Sequence, residues 1–295
     1  MAPVMVIHPR NKGTSMHNPF TSEPSTIRRL GLSTCAAALM LCASTGAQAA
    51  DKVAGHFGIS YNSHFVSYGG DVWGAGGDFF GDKSTTFVTG DVTVSATDAL
   101  SFNFGAWADV NDNTNSAIGG TLQEVDIWGG ASYKIDLLTL GATYQSWNYA
   151  GGTEEVLDLS VGLDDSGFYG NGFALNPSVK WHIRTDGNKA VGQKDGSAVV
   201  LAVAPGFSLT DTVSLSIPAG VAFFTTDDFQ GGTKSGYGYS YLGASVGVPL
   251  DFIPSDYGAW SLGFDVTGYF TRKDAIPGNP EENFVTGSVG LSLNF

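Results

Sequence analysis

The sequence predicts an all-β fold, a transmembrane antiparallel up-and-down β-barrel of about twelve strands with long extracellular loops and short periplasmic turns. Three observations predict it: apolar and polar residues alternate, the links between these segments alternate in length, and the final segment ends in an aromatic residue. The composition agrees, because only 14% of the 295 residues are charged, against about 25% in soluble domains. Acidic residues outnumber basic ones by 28 to 14, which argues against nucleic acid as a partner.

An export signal is predicted ahead of the barrel. An arginine pair at 28–29 precedes the apolar stretch Leu30–Cys42, and small residues follow it up to Ala49. This three-part pattern predicts a signal peptide over residues 1–49, with Met16 as an alternative start, and a single barrel domain over 50–295. Both cysteines lie in the leader, so the predicted mature chain has neither a disulfide nor a cysteine-ligated metal.

Alternation with period two recurs along the rest of the chain. Trp260, Leu262 and Phe264 fall on one face of a strand, whereas Ser261 and Asp265 fall on the other. No stretch approaches 18 consecutive apolar residues, so no membrane-spanning helix is predicted. Twelve segments share the alternation, at about 53–66, 85–96, 99–110, 122–134, 136–148, 154–164, 172–184, 197–208, 212–223, 237–250, 257–270 and 282–295.

The links between the segments follow a second pattern. Those after odd-numbered segments are long and rich in Gly, Asn, Asp and Thr, and most of those after even-numbered ones are short, with 165–171 as the exception. An even number of strands with long loops at one end and tight turns at the other is typical of outer-membrane barrels.

The carboxyl-terminal segment provides the third observation. Phe295 ends the chain, and Leu293 and Leu291 precede it at every second position. The pattern resembles the terminal-strand signal that the barrel-assembly machinery reads. It predicts a location in the Gram-negative outer membrane, with membrane lipid and that machinery as partners.

A secreted β-sandwich is the alternative fold. The barrel is favoured because the polar faces carry mostly Ser, Thr, Gly and Asn rather than Lys, Glu and Arg. Several aromatic residues also fall near predicted strand ends, where membrane girdles lie. They are Tyr61, Tyr144, Trp147, Trp181, Tyr241, Trp260 and Phe270.

Four aromatic and glycine-rich stretches resemble a known family. They are 63–69 (SHFVSYG), 104–110 (FGAWADV), 124–130 (EVDIWGG) and 141–147 (GATYQSW). The chain is similar here to the TorF-type family of proteobacterial outer-membrane porins, although Tyr68 stands where the family pattern usually has Arg. The resemblance implies a barrel and a pore but no established substrate.

Charged residues on the predicted inward faces are candidates for solute selectivity. A basic ladder on the seventh strand would face carboxylates across a constriction and create a transverse field in the pore. In the alternative interpretation, the basic residues pair with neighbouring carboxylates and close the lumen. The candidates are Lys180, His182 and Arg184 for the ladder, and Asp126, Asp158 and Asp265 for the carboxylates.

The first long link, 67–84, combines aromatic residues with aspartates. Asp71, Trp73, Asp78 and Asp82 could form a constriction or bind a sugar or calcium, although no complete calcium-loop motif is present. An ordinary glycine-rich surface loop is the favoured interpretation. The sequence predicts no metal site and no cofactor.

The function predicted from these features is a narrow, porin-like channel for passive diffusion of small polar solutes, and not an enzyme. The alternative is a non-conducting structural or adaptor barrel that presents loops or scaffolds envelope proteins. A lipid hydrolase is disfavoured because His56, His64 and His182 lack a serine two positions further along. The sequence leaves the solute and the oligomeric state open.

Overall fold

The computed structural model describes residues 52–169, 173–210 and 212–295, and the predicted signal peptide lies outside them. The described chain forms twelve antiparallel barrel strands. They are β1 (Val53–Asn62), β2 (Thr85–Ser95), β3 (Leu100–Val110), β4 (Leu122–Ile135), β5 (Leu138–Tyr149), β6 (Gly152–Leu163), β7 (Ser178–Asp186), β8 (Gly196–Val203, continued by Gly206–Ser208), β9 (Ser214–Ser216, continued by Ala219–Phe224), β10 (Gly236–Pro249), β11 (Ala259–Thr271) and β12 (Asn283–Asn294).

Each strand pairs with the next, and β12 pairs with β1, so the sheet closes on itself. The predicted up-and-down barrel of twelve strands is therefore confirmed. Among the described residues, none forms a helix long and apolar enough to cross a membrane.

Prolines interrupt the barrel wall near the short turns. Pro205 separates the two parts of β8, and Pro218 separates the two parts of β9. A proline interrupts a strand because it has no N–H group to donate to the sheet. The seventh strand was predicted from residue 172 but begins at Ser178. Pro177 precedes it, and Asn176 has a φ of 49°, which is incompatible with an extended strand.

Side chains alternate across the wall as the sequence predicts, with apolar residues outward and polar or aromatic residues inward. Tyr61, Tyr144 and Trp181 are 46–50% exposed on the outer face. The prediction that these aromatic residues lie in a membrane girdle is wrong for two of them. Trp147 is only 3% exposed and lies in the interior cluster, and Tyr241 packs against that cluster, because both occupy inward positions of their strands.

The seam between the first and last strands contains the predicted assembly-signal residues. Leu293 and Leu291 pair with β1, and the backbone N–H of Phe295 donates to the carbonyl of Gly55 at 3.0 Å. The Phe295 ring lies where a Cβ atom on Gly55 would be, within 2.2 Å. Only glycine leaves room for this ring at the seam.

Candidate functional site

Three long loops meet inside the barrel at its long-loop end. We name them L1 (63–84), L5 (225–235) and L6 (272–282). L1 leaves β1 and places Tyr68 against Trp147 of β5 and His182 of β7. In a ring of twelve strands, β1 and β7 lie on opposite walls. L1 therefore crosses the lumen.

The crossing point of L1 is a tight hairpin. Val66–Ser67 pairs with Gly70–Asp71, and the two turn residues Tyr68 and Gly69 have φ angles of 46° and 78°. Such turns favour Asn-Gly, because a bulky residue is strained at positive φ. A strained tyrosine at this position indicates that the contacts of its ring hold the turn in place.

Aromatic packing fills this half of the lumen. The Tyr68 ring centroid lies 3.9 Å from that of His182 and 5.8 Å from that of Phe229 in L5. Ile276 of L6 belongs to the same buried cluster. The other members are Trp147, Val156, Ala198, Ala222, Phe224, Tyr239 and Ala275.

Hydrogen bonds fasten L1 to the seam and to L6. The amide of Gly287 in β12 donates to Ser63 Oγ at 2.8 Å. Asn279 of L6 accepts from the amide of Asp71 at 2.7 Å and donates to the carbonyl of Gly69 at 2.8 Å. L1 is therefore bonded to the wall that it leaves and to a neighbouring loop.

Ser63 and His64 form a hydrogen-bonded serine–histidine pair, the arrangement that hydrolases use as a catalytic dyad. Ser63 Oγ lies 2.8 Å from His64 Nδ1, and His64 Nε2 lies 2.9 Å from the carbonyl of Gly76. The carbonyl can only accept, so Nε2 is the donor to Gly76. Ser63 is completely buried, so the pair holds L1 rather than presenting a nucleophile to solvent.

The four candidate residues of the first loop separate into two groups. Asp71 is buried and accepts from the amide of Gly76 at 2.7 Å, and the Trp73 indole donates to Asp109 of β3 at 3.0 Å. Asp78 and Asp82 are exposed. The interpretation of this link as an ordinary surface loop is wrong for its first part, because apolar residues carry that part into the lumen.

The tip of L1 returns to the outer face of the barrel. The Phe80 ring stacks on Tyr61 of β1 with centroids 5.6 Å apart. The Phe79 ring lies over Gly287, where a Cβ atom would be within 2.5 Å of it. L1 thus contacts both sides of the wall at the β1–β12 seam.

The predicted basic ladder is present on the inward face of β7, and carboxylates of β6 pair with it laterally. Lys180 Nζ lies 3.5 Å from Asp158 Oδ2, and His182 Nδ1 lies 2.7 Å from Asp158 Oδ1. Arg184 Nε donates to Glu154 Oε1 at 2.6 Å. Asp158 was expected to face the ladder across the lumen. That expectation is wrong, because its strand is the immediate neighbour of β7.

Arg184 also connects two loops to the wall. Its Nη1 donates to the carbonyls of Phe229 in L5 at 2.8 Å and of Lys194 in the loop after β7 at 3.2 Å. The guanidinium carbon lies 4.4 Å from the centre of the Phe229 ring. One buried guanidinium thereby positions a member of the aromatic cluster.

The other two candidate carboxylates lie on other strands. Asp126 is fully buried on β4, in register with Trp107 of β3 and Trp147 of β5. Asp265 on β11 accepts from Ser288 Oγ at 2.8 Å and also from Ser245. Hydroxyl groups of the two adjacent strands therefore hold the Asp265 carboxylate.

An exposed ion pair joins the loops above the barrel. Lys194 Nζ lies 2.5 Å from Asp228 Oδ2. The hydrogen bond between them raises the pKa of Lys194 and lowers the pKa of Asp228. Both groups are therefore ionised at neutral pH.

Toward the short turns, one sector of the lumen is open, and its inward side chains are small apart from Tyr241. A cavity of about 680 Å³ lies along the inner wall from β6 to β10. Its inward-facing lining residues are Gly162, Ser178, Ala202, Gly220 and Tyr241. Within the described ranges, no group of three or more His, Cys, Asp or Glu residues is arranged to hold a metal ion.

Sequence reasoning missed the loop residues that enter the lumen. Phe229 stands among polar residues in TTDDFQGG, and Ile276 follows charged residues in RKDAIPG. An isolated apolar side chain in an otherwise polar loop is the signal that could have identified both, because such a residue gains from burial.

Solved barrels of the outer membrane are similar to this chain in fold. The NanC porin has a TM-score of 0.47 at 6% identity, covering 82% of this chain and 98% of that one. The COG4313 outer-membrane channel from Pseudomonas putida F1 has a TM-score of 0.45 at 12% identity, covering 84% and 97%. An anion-selective porin from Comamonas acidovorans has a TM-score of 0.35 at 8% identity, covering 82% and 98%. No protein-family model and no curated protein sequence matches the chain, so the TorF-type resemblance stays a prediction.

Proposed function

We propose that the protein is a porin-like outer-membrane channel for passive diffusion of small polar solutes, closed in this conformation by L1 at the extracellular end. The long-loop end is taken as extracellular, as in bacterial outer-membrane barrels. The observation that carries the proposal is the difference between the two halves of the lumen. Loop residues close one half, whereas small side chains of the wall leave the other open.

Closure by a loop can be reversed without unfolding the wall. Tyr68, Phe229 and Ile276 all belong to loops, so displacing these loops removes much of the buried cluster and leaves the twelve strands paired. Loops are the elements of a fold that open at the lowest free-energy cost. Solute passage in this proposal requires movement of L1.

An engineered disulfide tests the role of L1. A Cβ atom at Gly76 would lie 3.3 Å from that of Pro280 in L6, close to the Cβ separation of about 3.5–4.5 Å found in disulfides. The pair Gly151→Cys and Ala117→Cys, with a Cβ separation of 3.8 Å, is a matched control outside L1, L5 and L6. Gly76 and Gly151 both have a positive φ, 59° and 79°, so the test pair and the control pair carry the same kind of backbone strain. No native cysteine interferes if the leader is removed.

We expect the purified wild-type barrel to give discrete current steps in a planar lipid bilayer. The oxidised Gly76→Cys/Pro280→Cys variant should be silent and should conduct after reduction, whereas the control pair should conduct in both states. A correctly inserted wild-type barrel that stays silent, and remains so when residues 66–76 of L1 are replaced by a short glycine-serine linker, would overturn the proposal. It would support the non-conducting adaptor barrel instead.

Charges in the open half are proposed to set ion preference. Lys180 has a side chain that is 26% exposed, and Asp265 lies on the wall of the same lumen. Lys180→Gln should shift the reversal potential in a salt gradient toward cation preference, and Asp265→Asn should shift it toward anion preference. Unchanged reversal potentials in both conducting variants would remove these residues from the selectivity assignment.

A further inference from the structure

The open half of the lumen has one apolar sector. The inward residues of β6, β7, β8 and β9 in this sector are Gly162, Ser178, Ala202 and Gly220, which are paired in one row across the sheet. A Cβ atom at Gly162 would meet no other atom within 4 Å. The wall is therefore concave here, and the cavity of about 680 Å³ is within the usual size of small-molecule sites.

An aromatic ring bounds the sector on its β10 side. A Cβ atom at Gly220 would lie 2.6 Å from the ring of Tyr241 and 2.7 Å from its hydroxyl, so this end of the Tyr241 side chain lies over the β9 backbone. Tyr241 in turn contacts Tyr269 of β11, with centroids 6.1 Å apart. The lining of the cavity is consequently mostly carbon.

A lysine lies one inward row beyond this apolar wall, and its side chain is directed toward Asp158 of β6. Lys180 is the next inward residue after Ser178 on β7, and its Nζ lies 3.5 Å from Asp158 Oδ2. Asp158 is fixed by its second contact, because its Oδ1 lies 2.7 Å from Nδ1 of the buried His182. An ammonium group has three N–H donors, and one carboxylate oxygen at this distance accounts for one of them.

We propose that this sector binds an organic monocarboxylate with a short apolar tail. The tail lies along the wall formed by Gly162, Ala202 and Tyr241, and the carboxylate accepts from Lys180 Nζ. An inorganic anion would leave the apolar wall in contact with water, whereas a hydrocarbon would remove water from the ammonium group without replacing its hydrogen bonds. The inference deepens the proposed channel function by naming a solute class, and so rests on it for its biological meaning.

Calorimetric titration of the purified barrel with acetate, butyrate and hexanoate tests the proposal. Each buried methylene should strengthen binding by up to about fourfold, since burial of one CH₂ group contributes about 0.8 kcal/mol. Hexanoate should therefore bind much more tightly than acetate. Equal affinity for the three acids, or no binding of hexanoate, would overturn the inference.

Two variants and two matched controls locate the site. Lys180→Gln should weaken hexanoate binding by roughly tenfold or more, the usual effect of losing a charged hydrogen bond, and Gly162→Leu should abolish binding by filling the cavity. Lys134→Gln is the control for Lys180→Gln, because it removes a lysine from β4. Thr89→Leu is the control for Gly162→Leu, because it adds a leucine to β2, which lies on the far wall. Both controls should bind as wild type. Wild-type affinity in the Lys180→Gln and Gly162→Leu barrels, with the heat-modifiable electrophoretic shift of a folded barrel retained, would place the ligand elsewhere and refute the assignment.

The proposed binding site and the proposed channel function can be contradicted separately. A barrel that conducts but does not bind hexanoate keeps the channel function and loses this site. A barrel that binds hexanoate but never conducts keeps the site and loses the channel function.

Discussion

Replacing Arg184 by methionine should destabilise the barrel more than any other single charge removal in the lumen. The side chains of Arg184 and Glu154 are only 2% and 1% exposed, and Tyr149 also donates to Glu154, at 2.7 Å. Methionine keeps the apolar stem but leaves the Glu154 carboxylate buried without its cation. Removing one partner of a buried ion pair costs about 3–5 kcal/mol, and the carbonyl of Phe229 loses a charged donor, which costs about 1 kcal/mol more.

The expected total for Arg184→Met is therefore about 4–6 kcal/mol of unfolding free energy. The double variant Arg184→Met/Glu154→Gln removes the uncompensated charge and should recover at least half of the loss. Equilibrium unfolding in urea, with the barrel in phospholipid vesicles and tryptophan fluorescence as the signal, measures both values.

Lys189→Met is the matched control. Lys189 Nζ lies 2.8 Å from Asp186 Oδ1 in an ion pair whose side chains are 81% and 52% exposed. Its removal should leave the unfolding midpoint unchanged, because exposed ion pairs contribute little. The reasoning is refuted if Arg184→Met unfolds at the same urea concentration as Lys189→Met. It is also refuted if the double variant is no more stable than Arg184→Met.

Three further outcomes follow from the loop, the sheet and a turn. Tyr68→Asn removes the ring that crosses the lumen and suits the positive φ of 46°, so single-channel conductance should exceed that of the wild type. Gly105→Val should lower the unfolding free energy by about 1–3 kcal/mol in urea titration, because a Cβ atom there would lie 2.1 Å from the Trp128 ring. Hydrogen bonds from the Ser166 hydroxyl and amide lower the pKa of Asp164, so Ser166→Ala should raise that pKa in a carboxyl-carbon NMR titration. The hydrogen-bonded carboxylate stabilises the fold at pH values above its unfolded-state pKa of about 3.9. This contribution is lost as the pH falls through the lower pKa of the folded state.

Each of these outcomes can be contradicted. A Tyr68→Asn barrel with wild-type conductance would mean that the ring does not limit the pore. A Gly105→Val barrel with an unchanged urea midpoint would mean that Trp128 can move aside at no cost. An unchanged Asp164 titration in Ser166→Ala would assign the lowered pKa to another group.

The barrel wall could be predicted from the sequence because its pattern is local. Each strand alternates with period two, so residues such as Phe264 and Asp265 are assigned to opposite faces without knowledge of their neighbours. The start of β7 was predicted six residues too early. The alternation continues through Asn176 and Pro177, although their backbone cannot extend the strand.

The closure of the lumen was an alternative that the sequence could raise but not decide. The sequence placed Lys180, His182 and Arg184 on one inward face, but pairing with Asp158 and Glu154 depends on the register between β6 and β7. The contact of Tyr68 with His182 joins residues 114 positions apart, and no local pattern records it. Tyr-Gly is not one of the favoured two-residue hairpin turns, so the sequence does not indicate the turn at Tyr68 either.

The pairing of β1 with β12 determines how this chain can fold. His56 is in register with Asn294, so the seam joins residues at opposite ends of the described chain. Contacts of such high sequence separation form slowly, because the entropy of closing the long loop is lost before the contacts form. Until the seam closes, both strands have an unpaired edge that another chain could join. The ring of Phe295 over Gly55 and the hydrogen bonds between Ser63 and Gly287 secure opposite ends of the seam, so closing the seam removes both open edges at once.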